Sequence, residues 1–115
     1  MMKNKEPDVW LILARVEVVG DNSSHLSIGS SALIQCFIPE TVIESALART
    51  SALLSAEGMR RTDVLSCTRF DGGTPFDKDT PEFVRRDVLN ARSTGKPCTG
   101  TVFMSKESAS FQQHT

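Results

Sequence analysis

The residues most able to do chemistry are concentrated in "FDGGTPFDKDTPE", residues 70–82, where Asp71, Asp77, Asp79 and Glu82 stand against a single base, Lys78. Carboxylates beside glycines suggest a cation loop or a phosphate loop. A calcium loop alternates its acids and places its glycine after them, whereas here Gly72 and Gly73 precede most of the acids. A divalent ion bridging Asp77 and Asp79 is the weaker reading, because turn and helix-cap roles account for both. A phosphate loop aims glycine amides at its ligand from a helix start. "DGGTP" lies ahead of the helix start, among acids that repel phosphate, and matches neither common nucleotide-binding glycine pattern.

Other reactive side chains are few. Cys36, Cys67 and Cys98 fall in predicted strands and read as small buried hydrophobes rather than nucleophiles. An odd number of cysteines behind "MMKNKEPD", which has no apolar leader core, indicates reduced thiols and a cytoplasmic chain. His25 and His114 sit in a polar connection and a polar tail, without the spacing of a zinc site. No serine occupies a nucleophile elbow, and there is no tyrosine. The expectation is a non-enzyme with no cofactor, no metal and no catalytic residue. Arg60, Arg61, Arg69, Arg85, Arg86, Arg92 and Lys96 are matched by nearby acids such as Asp63, Glu82 and Asp87 and lack interleaved aromatics. With 13 Lys and Arg against 14 Asp and Glu, a nucleic-acid partner is not expected. Nor is a membrane, since no apolar run is long enough to span one.

These residues are positioned by six predicted elements within one domain at 9–105, between flexible ends at 1–8 and 106–115. Residues 9–20 form a strand apolar on both faces at its start, with Trp10 directed to the core. A polar loop joins it to a second strand at 32–38, and the pair is expected to form a hairpin. The first helix follows, with Thr41 and Glu44 as a capping box, Gly58 as its stop, and a stripe of Ile43, Ala46, Leu47, Thr50, Leu53 and Leu54. A third strand spans 62–70. The second helix runs from Pro81 to Ser93, capped by Asp79 or Thr80, with Phe83, Val84, Val88 and Ala91 as its apolar face. The last strand is 98–105.

The order β-β-α-β-α-β predicts an α/β (α+β-like) two-layer sandwich. Its sheet would be mixed and four-stranded, with both helices on one face and strands 2, 3 and 4 parallel. A ferredoxin-like arrangement is the nearest common relative. One sheet face would then be open, to be covered by a homodimer or a partner protein. The "DGGTPFD" segment exceeds what a strand-to-helix turn needs, and Phe76 is expected to be exposed at its centre.

From residue 41 to 104 the pattern resembles small bacterial immunity proteins encoded beside contact-dependent growth-inhibition or polymorphic toxins. It is carried by an Ala- and Leu-rich helix ending Glu57-Gly58, then "DVLSCTRFD", then a Pro-started helix ending "ARSTG", then "GTVF". The resemblance implies a protein that binds and neutralises a cognate toxin without chemistry of its own, and it transfers no site residues. Under it, Asp71, Phe76, Asp77, Asp79 and Glu82 become the candidate partner-binding set, their acids imitating phosphates before a basic surface. The alternative is a small-molecule-binding regulatory module, dimeric through its sheet.

Overall fold

A computed structural model describes residues 7–22 and 25–104 of the chain, apart from the Met104 side chain. Six elements follow the predicted order: β1 (Val9–Val18), β2 (Ser31–Ile38), α1 (Ile43–Ala56), β3 (Met59–Phe70), α2 (Glu82–Thr94) and β4 (Cys98–Met104). They make an α+β fold with one four-stranded sheet in the order β3-β1-β2-β4. The expected hairpin of the first two strands forms, with Trp10 opposite Ile38 and Glu17 opposite Ser31.

Alternation along the central pair divides the core in two. Ile12, Ala14 and Val16 of β1 and Ala32, Ile34, Cys36 and Ile38 of β2 share one face and pack against Ala46 and Leu54 of α1. Val9 and Phe37 point the other way and pack against Val84, Val88 and Ala91 of α2. Each helix thus makes a two-layer packing with the face that it covers. The expectation of both helices on one face is corrected. β1 is apolar on both faces at its start because it is covered twice, and Leu11 joins the second cluster for the same reason.

The expected mixed sheet is also corrected, since all three strand pairings are antiparallel. β2 and β3 do run parallel to each other, but with β1 between them. β2-α1-β3 is therefore a split βαβ unit, the part that the fold shares with ferredoxin-like proteins. β3 and β4 are antiparallel, and connectivity gives the reason. β3 ends at Phe70 beside Val9, and β4 starts at Cys98 beside Phe37, so both lie at the same end of the sheet. The loop and α2 carry the chain across the sheet on its second face, from one edge strand to the other. That crossing spans three strand spacings, roughly 14 Å.

Helix ends depart from prediction in detail. α1 is preceded by Val42 and α2 by Pro81, and neither N-terminus has a side-chain cap hydrogen bond, so the Thr41–Glu44 box and the Asp79 or Thr80 cap are absent. The α1 stripe does bury Ala46, Thr50 and Leu54, and the Thr50 hydroxyl donates to the Ala46 carbonyl at 2.7 Å. Phe83 lies on the outer side of α2, partly exposed, instead of in its apolar face. The glycine stops are as expected: Gly95 is left-handed at φ 69° and Gly58 at φ 74°. Among the described residues no helix is long and apolar enough to cross a membrane.

Candidate functional site: the 71–82 loop

The loop begins where β3 leaves the sheet and is fixed there by a buried acid. Asp8 is only 5% exposed. Its Oδ2 accepts Arg69 Nε at 3.1 Å and Nη2 at 2.8 Å, while Oδ1 accepts the Gly72 amide at 2.9 Å. Burying a carboxylate is costly unless its lone pairs are filled, and a forked guanidinium with a backbone amide fills them well. Residues 7 and 8, expected to be part of a flexible end, therefore belong to the fold. The rest of that end, the tail at 106–115 and His114 lie outside the described residues.

A second arginine closes the loop from the helix side. Arg92 of α2 donates to the carbonyls of Pro7, Phe70 and Asp71 at 2.9, 3.2 and 3.1 Å. Its guanidinium also sits 5.6 Å from the ring centroid of Phe76, a cation–π distance. Phe76 meets Phe70 in a tilted pair with centroids 5.9 Å apart and packs on the α2 cluster. The expected exposure of Phe76 is corrected: it is half-buried, a wedge that holds the loop against the domain.

Two of the loop's acids shape its backbone. Asp71 Oδ1 accepts the Gly73 amide at 3.0 Å and Oδ2 accepts the Thr74 hydroxyl at 3.2 Å, with a turn closed by Thr74 N–H to the Asp71 carbonyl. Asp77 repeats the device, accepting the Asp79 amide at 3.0 Å while Thr80 N–H closes the turn. Such side-chain turns suit short polar residues. Asp77, Lys78, Asp79 and Glu82 are exposed, Glu82 standing 3.5 Å from Arg85 one turn along the helix. Between the turns lies a shallow cavity of about 230 Å³, lined by Arg69, Phe70, Thr74, Pro75, Phe76 and Thr80 with the two turn aspartates. The five candidate residues thus gather in one segment but divide by role. Asp71 and Phe76 build it, Asp77 both builds and presents charge, and Asp79 and Glu82 present charge.

The thiols occupy three different settings. Cys36 is buried in the sheet, and desolvation, with Cys98 nearby, pushes its thiol up to about 12. Burial also raises the Cys98 thiol, against a hydrogen bond from Asn90 that lowers it. Cys67 is exposed on β3. Across β1, Cys36 and Cys67 both stand opposite Ile12, a full strand apart. Trp10 packs on the α1 cluster, as expected, and donates from Nε1 to the Thr41 carbonyl at 3.4 Å.

Sequence reasoning missed the anchoring roles of Asp8 and Arg92, which with Arg69 fix the ends of the loop. Both looked generic, one in a polar leader and one on a helix's charged side. The usable signal was the unusual length of the loop, which requires anchors at both ends. No family model matches the chain, and no curated protein or solved structure is significantly similar to it.

Proposed function

We propose that this is a non-catalytic binding protein that presents its 71–82 loop to a basic protein surface. The observation that carries the reading is a preformed loop. Asp8, Arg69 and Arg92 fix its ends, Phe76 fixes its middle, and three acids, Asp77, Asp79 and Glu82, face solvent with one lysine. A loop ordered before association loses little conformational entropy on binding, which favours affinity. Its excess of negative charge accelerates encounter with a cationic partner. The resemblance to immunity proteins supplies the partner class, a cognate bacterial toxin whose basic active-site surface the loop would occupy.

The test uses substitutions that keep each turn and remove its charge. Asn retains the side-chain oxygen that accepts the turn amide, so Asp77→Asn, Asp79→Asn and Glu82→Gln together leave the loop formed. Tagged protein retained in host extract should capture one stoichiometric basic partner. The triple variant should bind that partner at least tenfold more weakly, with a shallower salt dependence. Unchanged affinity would remove the loop from the interface.

A further inference from the structure

Glycine follows an aspartate or an asparagine at one place in the chain, Asp71–Gly72. That pair has a chemistry of its own. The Gly72 nitrogen has no Cβ beside it and a permissive backbone, so it is the kind of amide that attacks the preceding carboxyl group. An N–Cγ bond forms, the amide hydrogen and a carboxyl hydroxyl leave as water, and a five-membered succinimide closes. Water then reopens the ring. Opening at the main-chain carbonyl leaves the chain running through Cβ and Cγ, an isoaspartate with one more backbone atom and an unchanged mass. Water is the only co-reactant.

The fold grips this peptide unit from both sides. The Gly72 N–H donates to Asp8 Oδ1 at 2.9 Å. On the opposite edge of the same unit, the Asp71 carbonyl accepts Arg92 Nη2 at 3.1 Å and the Thr74 amide at 3.1 Å. A peptide unit is planar, so holding its oxygen and its hydrogen fixes its orientation. Ring closure must release the Gly72 hydrogen and bring the nitrogen against Cγ, which opposes both grips. Asp8 is buried and already takes two hydrogen bonds from Arg69, which makes it a fixed acceptor. The Asp71 carboxylate is engaged as well, by the Gly73 amide and the Thr74 hydroxyl.

We infer that Asp71–Gly72 is a modification site, a latent isoaspartate that the clamp of Asp8 and Arg92 keeps closed while the loop is anchored. Both clamp residues are positioning groups. Rearrangement then proceeds through local opening of the anchor, and its rate reports how often the clamp releases. The longer backbone at 71 no longer places the Gly72 amide on Asp8, so the product leaves the loop unanchored where β3 ends. The inference concerns the bond itself and does not depend on the proposed partner.

Peptide mapping tests it on the full chain, held near neutral pH at physiological temperature. The product is a chromatographic isomer, equal in mass, of the peptide that contains residue 71. Folded wild type should form it at least about tenfold more slowly than the same chain unfolded in urea, the factor that one hydrogen bond to a charged group supplies. Asp8→Ala and Arg92→Ala, checked as folded by circular dichroism, should each form it about tenfold faster than folded wild type. Gly58→Ala is the control for general destabilisation, because Gly58 precedes β3 at the end of the sheet opposite Phe70. It should stay near the wild-type rate. Equal rates in folded and urea-unfolded wild type overturn the inference, whether or not the variants fold. So does equal acceleration in Asp8→Ala and Gly58→Ala, which would assign the protection to the whole domain instead of the clamp.

Discussion

At the scale of single residues, the molecule assigns its reactive groups to structure. Asp8 illustrates this: an acid in a polar leader becomes the anchor of the loop because Arg69 and the Gly72 amide fill its lone pairs. Arg69 is still about half exposed, so breaking the pair leaves a charge that water can partly solvate. Asp8→Ala should therefore cost about 2 kcal/mol by chemical denaturation, the range of hydrogen bonds to a charged group and less than for a fully buried ion pair. The cysteines should separate under a thiol reagent at neutral pH. Cys67 reacts first, and Cys36 reacts only when the domain unfolds. Cys36 also sets an alkaline limit. Its folded value of about 12 exceeds its ordinary value of 9.0, so the folded state holds the proton that the unfolded state releases. That contribution is complete below about pH 9 and declines as pH rises toward 12. Cys36→Ala should flatten the decline in melting temperature across this window, and an identical decline would contradict the assignment.

At the scale of elements, the loop, the helices and the β1–β3 corner hold one another in place. Phe76 packs between Phe70 and Arg92, so Phe76→Ala should cost about 2–3 kcal/mol and speed hydrogen exchange through 71–80 before it affects β1 or β2. Gly58 is left-handed, and a methyl group there would meet the Asp21 carbonyl. Gly58→Ala should therefore destabilise by more than about 1 kcal/mol, read as a lowered denaturation midpoint. Much of this level was legible in the sequence. Six elements in the right order, the α1 stripe and both glycine stops follow from local periodicity and turn chemistry. The paths between elements were not legible from local pattern. Val9 and Leu11 signalled a second covered face, yet α2 satisfies them from within the chain, and only long-range connectivity decides that. Caps failed similarly: a Thr-x-x-Glu spacing is necessary for a box, but the backbone of 41–44 enters the helix without using it.

For the whole molecule, the sheet is covered at one end on both faces and open at the other on one face. The 71–82 loop and the β4 edge are separate surfaces in this arrangement, one charged and preformed, the other uncharged and without a second strand partner among the described residues. The central claim is that the loop's exposed carboxylates, and not the domain as a whole, bind a basic protein. The most direct measurement compares retention of the captured host partner on wild-type protein and on the Asp77→Asn, Asp79→Asn, Glu82→Gln variant across a salt series. The account predicts at least a tenfold loss of affinity at low salt that narrows as salt rises, with the variant folded. Equal retention by the two proteins at every salt concentration would contradict it.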